Sequence, residues 1–362
     1  MAYLDKTLCN NCYETITQVI RFLCDDSATA GRDWQVKSYV INEDDPNNLQ
    51  YRTFSGSLTV SALDTPIYLP TVNTEETVFT KGGTTLTQGT DYTLDNILGK
   101  VTFLSGGAVS ASDVIEYEYK FKRAEYILYN SDGSSYVYVI LKLQIYNTES
   151  EAFIRGGGCY TYDTNTSSWA SKFTSQYAVC IWNNPNYLWI FSNQRRFIIV
   201  VLNEGYYSVL YAGLALRLCL PTEYEVPLVV HGSHKCDYDF SPVEWHDNQD
   251  NAHWFVHGRY SYMTAEDKTW HNRDSWGYVQ PRVFANNVLQ FNFPSDFPLF
   301  FYPIIVAPSS DYFVGLYEGV YYINSVDLTS ESIITDDSGK EYIVFPDVNR
   351  NDYAHWHCIL KE

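Results

Sequence analysis

The run Phe197-Ile198-Ile199-Val200-Val201-Leu202, answered across Asn203-Glu204 by Gly205-Tyr206-Tyr207-Ser208-Val209-Leu210-Tyr211-Ala212-Gly213, decides how this chain folds. Six consecutive apolar residues, four of them β-branched, read as a strand of the buried type. The run is far too short to cross a bilayer as a helix. Asn193-Gln194-Arg195-Arg196 before it reads as a turn. The wider composition agrees: 32 Tyr, 19 Phe and 9 Trp bring aromatics to 17% of the 362 residues, while Met appears twice and charged residues make only 19%. Aromatic and β-branched side chains favour the half-buried pleated surface of strands. The expected fold class is mostly β, with a β-sandwich-like body.

Working towards the N-terminus, residues 125–146 read as a hairpin turning at Ser131-Asp132-Gly133-Ser134. Between residues 52 and 122 the texture changes: Trp disappears, Thr, Ser and Gly rise, and short strand candidates alternate with Lys81-Gly82-Gly83, Leu98-Gly99 and Ser105-Gly106-Gly107. Such spacing suggests a small inserted β-sandwich module. Trp34 to Val40 alternates as a half-buried strand and would pair with the 125–146 hairpin if 52–122 were an insertion. The expected organisation is therefore a discontinuous β-rich body of 1–51 plus 123–362, interrupted by the module 52–122. One N-terminal helix is expected over 7–24, capped by Thr7, with Leu8, Cys12, Ile16, Val19, Ile20 and Leu23 on one face.

Towards the C-terminus, Gly156-Gly157-Gly158 reads as a break and residues 231–280, rich in His, Trp and Asp, as a long loop region or elaborated face. Strands are expected over 314–326 and 342–345, with 354–360 closing the sheet.

Lys and Arg total 24 against 43 Asp and Glu, a net charge of −19, and Arg195-Arg196 is the single basic pair that stands out. Such a surface repels a phosphate backbone, so no nucleic-acid role is expected. Membrane insertion is not expected either. Met1-Ala2-Tyr3-Leu4-Asp5 carries no basic segment followed by an apolar core, so synthesis in the cytoplasm is expected.

Common catalytic fingerprints are absent from the sequence, and neither an enzyme nor a cofactor is expected. The best metal-ligand candidates are His231, His234 and Cys236, since imidazole and thiolate are metal ligands and two ligands separated by two residues, as His231 and His234 are, can reach one ion. Trp245, Trp254, Trp270 and Trp276 could pack between subunits or stack on sugar rings, which makes a cell-surface glycan a possible ligand. Cys9, Cys12 and Cys24 are candidates for buried thiols or a disulfide.

The phrase LTQGTDYTLDNILGKVTFLSG (86–106), followed by DVIEYEYK from Asp113, resembles the small β-sandwich modules of phage structural proteins. The body resembles a family of tailed-bacteriophage virion proteins. It does so through NQRRFIIVVLNEGYYSVLYAGLALRLCLPTEYEVPLVVHGS (193–233), GLYEGVYYINS (315–325) and KEYIVFPDVNRNDYAHWHCILK (340–361). Arg195, Arg196, Phe197, Tyr211, Gly213, Pro227, Leu228, Gly232, Ser233, Gly315, Tyr317, Gly319, Val320 and Asp352 stand at its matching places. The resemblance implies a structural component of the tail, baseplate or neck. Its partners would be other virion proteins in a symmetric homo-oligomer, and its location the virion tail after synthesis in the host cytoplasm. Two alternatives from other classes are a carbohydrate-binding host-recognition protein at the tail tip and a metal-dependent cell-wall hydrolase.

Overall fold

The computed structural model describes residues 2–25, 34–41, 51–131, 136–146, 151–159, 176–181, 184–217, 228–232, 234–236, 260–263, 270–273, 301–306, 315–323, 328–346 and 356–361. Among them the chain is mostly β, with one helix, α1 (Cys12–Cys24), and several antiparallel sheets. No helix among the described residues is long and apolar enough to cross a membrane.

A seven-stranded sheet forms the centre. Its order is β1 (Ala2–Cys9), β14 (Asn186–Ser192), β15 (Arg196–Asn203), β16 (Tyr206–Leu214), β18 (Leu228–Gly232), β20 (Tyr260–Met263) and β21 (Trp270–Arg273). A six-stranded sheet is ordered β19 (His234–Cys236), β13 (Gln176–Cys180), β12 (Glu151–Cys159), β11 (Tyr136–Tyr146), β10 (Ala124–Ser131) and β2 (Gln35–Ile41). The C-terminal sheet runs β17 (Leu216–Arg217), β23 (Gly315–Ile323), β26 (Trp356–Leu360), β25 (Glu341–Pro346) and β24 (Ile333–Thr335), with β22 (Phe301–Val306) also on β23.

β15 explains the layering. Phe197, Ile199 and Val201 join a core with α1 and the six-stranded sheet, including Leu141, Leu143 and Val179. The alternate residues Ile198 and Val200 enter a second core with Val320, Ile343, Phe345 and Ile359 of the C-terminal sheet. Because successive strand residues point to opposite faces, a strand covered on both sides must be apolar at every position. The seven-stranded sheet is thus the middle layer, and each fully buried Ile or Val on it contributes about 1.5–3 kcal/mol.

Residues 51–122 close around a separate apolar cluster of Val60, Leu69, Phe79, Tyr92, Val101, Phe103, Ile115 and Tyr119. Two sheets enclose it. One is β3 (Tyr51–Thr59), β9 (Val114–Lys122), β5 (Thr74–Lys81) and β6 (Thr84–Thr85); the other is β4 (Pro66–Tyr68), β8 (Lys100–Phe103) and β7 (Tyr92–Asp95). The first and last strands of this segment, β3 and β9, pair from Tyr51↔Lys122 to Thr59↔Val114. The flanking strands β2 and β10 pair in turn, from Ala124↔Ile41 to Tyr129↔Gln35.

Two local readings of the sequence are corrected. The helix begins at Cys12, not residue 7, and its cap is Asn11 rather than Thr7: the Asn11 side chain accepts from the Glu14 N–H at 2.9 Å, and Glu14 Oε2 accepts from the Asn10 N–H at 2.8 Å. This reciprocal pair ends β1 and starts the helix at one point. Leu8, at helical spacing from Cys12, therefore lies on β1 and is 51% exposed. Gly156, Gly157 and Gly158 do not break the chain but sit buried inside β12. A Cβ on Gly156 would lie 2.9 Å from a Leu210 methyl, and one on Gly158 3.0 Å from a Val230 methyl. These glycines let the outer sheet approach the central one.

Candidate functional site

A cluster of polar side chains lies where the central and C-terminal sheets meet. It begins at the β14–β15 turn, where Asn193 Oδ1 accepts from the N–H groups of Arg195 and Arg196 at 2.8 and 2.9 Å. Trp34 Nε1 donates to the Asn193 carbonyl at 3.0 Å and packs edge-on against Phe197. This Asx-type turn sends the two arginines to different places.

Arg195 reaches across to the C-terminal sheet, where its Nε lies 3.1 Å from Glu318 Oε2; Asn193 Nδ2 donates to the other oxygen of Glu318 at 2.8 Å. Arg196 points inward and is fully buried, with Nη1 donating to the Phe191 carbonyl at 3.2 Å. Burial pulls its pKa below the ordinary guanidinium value, while Tyr211 and Glu318 oppose that shift. The pair read from sequence as the one basic feature is therefore not a surface patch: one arginine is bridged and the other is in the core.

Tyr211, on β16, donates its hydroxyl to the Leu214 carbonyl at 2.9 Å and meets Tyr317 edge-to-face at 4.9 Å between centroids. Burial raises its pKa. The Tyr317 hydroxyl lies 2.8 Å from His231 Nδ1. Close approach is possible because two positions lack a side chain. Gly213 has φ +143°, and a Cβ there would fall 2.4 Å from both the Arg195 carbonyl oxygen and Arg196 Cα. Gly319 has φ +74°, and a Cβ there would sit 2.5 Å from Arg196 Nη2. Both backbones adopt conformations that side-chain-bearing residues rarely take.

The structure places the sequence candidates as follows. His231 is buried on β18, opposite Tyr211 and Tyr260, and one of its nitrogens is committed to Tyr317. His234 and Cys236 lie on β19, in the six-stranded sheet, opposite Ala178 and Gln176; their side chains are outside the description. Among the described residues no group of three or more His, Cys, Asp or Glu is arranged to hold a metal ion. Trp270 lies on β21, opposite Met263, whereas Trp245, Trp254 and Trp276 fall outside the described residues. Within 231–280, two short strands extend the edge of the central sheet. Cys9 and Cys12 are buried and Cys24 half-buried. The Cys9 thiol lies 3.9 Å from the Thr7 carbonyl, and its pKa is pushed up to about 12, chiefly by burial. That environment makes it a poor nucleophile.

A second polar site links α1 to the 51–122 segment and has no single sequence motif. Arg21 donates to three main-chain carbonyls of that segment: Leu69 at 2.7 Å, Leu98 at 2.9 Å and Thr71 at 3.2 Å. Thr17 Oγ1 accepts from the Val72 N–H at 3.1 Å. Asp25, just past the helix, takes Lys100 at 3.1 Å and a hydrogen bond from the Tyr68 hydroxyl. The available signal was weak: Arg21 and Thr17 are four residues apart, so they share one side of the helix.

On the outer face of the β3–β9–β5 sheet lies an open depression of about 640 Å³, lined by Ser55, Ser57, Thr80, Glu116 and Glu118 among others. Sequence reasoning missed it, although the alternation Glu116-Tyr117-Glu118-Tyr119 marks two carboxylates on one strand face. The chain matches no protein-family model, and comparison with curated proteins finds no similar sequence.

Proposed function

We propose that the protein is a non-enzymatic structural component of a tailed-bacteriophage virion, in the tail, baseplate or neck. Its task would be to make assembly contacts, as a symmetric homo-oligomer, with other virion proteins, and to carry residues 52–122 as an inserted module. The observation that supports this reading is the use to which the polar joint puts its residues. Arg195, Arg196, Tyr211, Gly213, Tyr317 and Gly319 all stand at positions of the phage-protein resemblance, and all meet in one joint. There they lock two sheets together, which is the work of a particle subunit that must hold its shape.

The strong negative charge fits the same reading, since like charge keeps free subunits soluble and apart until specific contacts form. Few subunit types tile a closed particle, so the proposal requires a symmetric oligomer. Mass photometry of the purified full chain tests it. A discrete closed oligomer, sharpening with concentration, is expected; a chain that stays monomeric at every concentration contradicts the homo-oligomeric part of the reading.

A further inference from the structure

We propose that the free edge of β3 is a docking site for an extended segment of another protein that alternates basic and apolar residues. The inference rests on the edge itself and does not require the virion assignment. β3 is the outermost strand of its sheet, and all nine of its residues pair with β9 without a bulge. No strand among the described residues covers its other side.

The ladder identifies which backbone groups are on offer. The Val60 N–H, one residue beyond β3, donates to the Asp113 carbonyl at 2.9 Å. Hydrogen-bonded and non-bonded pairs alternate along an antiparallel ladder. Leu58, Gly56 and Phe54 therefore turn their N–H and C=O groups towards β9, while Ser57, Ser55 and Thr53 turn theirs outward. Exposed edges are ordinarily blunted by proline, lysine or a bulge. β3 has none of these, and its one charged residue, Arg52, lies 5.0 Å from the centre of the Tyr13 ring on α1.

The two faces beside the edge specify the occupant. On the outer face Ser55 and Ser57 are small, and directly across from them stand the exposed carboxylates of Glu118 and Glu116, at the depression described above. A strand added to β3 lies about 10 Å from β9, since neighbouring strands are ~4.8 Å apart. Its outer-face side chains must cross the two serines to reach those carboxylates, which a lysine or arginine can do. On the inner face Phe54 and Leu58 are only half-buried, so the intervening residues of the added strand are apolar. Main-chain bonds would supply the affinity and the alternate side chains the selectivity. A second copy of this chain is disfavoured as the occupant because its run Lys120-Phe121-Lys122, which alternates in this way, is already paired with β3 and β5 inside its own sheet.

The test uses the full chain and two short fluorescent peptides, one alternating valine and lysine, the other valine and glutamate, followed by anisotropy. Saturable binding of the lysine peptide is expected, weakening as salt rises. Ser57→Pro removes an outward N–H that the β9 ladder does not use, and should weaken binding about tenfold or more with the melting temperature nearly unchanged. The surface double variant Glu116→Lys/Glu118→Lys, which leaves the edge backbone intact, should reverse the preference towards the glutamate peptide. The proposal is overturned by absence of binding, by equal binding of both peptides, or by binding that neither variant alters. It is also overturned if Ser57→Pro instead abolishes self-association of the chain.

Discussion

The joint between the central and C-terminal sheets and the outer sheet of the 51–122 segment put polar side chains to opposite uses. In the joint, Arg196, Tyr211 and His231 are buried, and each makes a hydrogen bond inside the protein: to the Phe191 carbonyl, the Leu214 carbonyl and the Tyr317 hydroxyl. On the β3–β9–β5 sheet, Ser55, Ser57, Glu116 and Glu118 face solvent around an open depression beside an edge that no strand among the described residues covers. The contrast follows from layering. A sheet covered on both faces must satisfy every polar group internally, because an unmade hydrogen bond there costs about 1–3 kcal/mol. A sheet covered on one face can leave its polar side for a partner. If the β3 edge docks a partner as proposed, stability and recognition fall to different parts of one chain.

The largest effect that would break this comparison is in the joint. Arg196→Ala removes a buried cation from the company of Tyr211 and Glu318 and leaves a void beside Gly319. A loss of about 3–5 kcal/mol in chemical denaturation is expected from the cavity that so large a buried side chain leaves, while Glu118→Ala on the open sheet should change stability by under about 0.5 kcal/mol. Comparable losses at both positions would erase the distinction.

A smaller effect is expected at the link between the two regions. Arg21→Ala deprives the Leu69, Thr71 and Leu98 carbonyls of a shared charged donor. It should cost about 1.5–3 kcal/mol and raise amide hydrogen exchange around residues 69–73 before the central sheet responds. Exchange that rises uniformly would show that the two regions unfold as one unit.

The smallest effect concerns Cys9, whose burial moves its pKa from 9.0 to about 12. The fold favours the neutral thiol. The associated stability is therefore present below the ordinary thiol pKa and is lost as pH climbs towards about 12. Iodoacetamide at pH 8 should leave Cys9 unmodified in native protein and label it once the chain is unfolded. Rapid native labelling would place Cys9 at an accessible surface.

Much of the fold was legible because it rests on local pattern. The uninterrupted apolar run of β15 announced a strand buried on both faces, and the hairpin around residues 131–134 announced β10 and β11, which pair from Glu125↔Lys142 to Ser131↔Tyr136. The helix was legible by its face but not by its start, since Leu8 keeps helical spacing although the Asn11 cap excludes it. Gly156 to Gly158 misled for a different reason: flexibility and close sheet approach look alike in sequence, and only the Leu210 and Val230 methyls distinguish them. The joint was illegible as a site. Arg195 and Glu318 are separated by 123 residues, and their meeting depends on how two sheets are stacked. The depression was missed because its carboxylates become neighbours of Ser55 and Ser57 only through the β3–β9 register.

The proposed role as a particle subunit is tested most directly by quantitative mass spectrometry of purified tailed-phage particles from cells producing this chain. The protein is expected to co-purify at a fixed copy number that is an integer multiple of the tail's rotational symmetry. Complete, infective particles that lack the chain would contradict it.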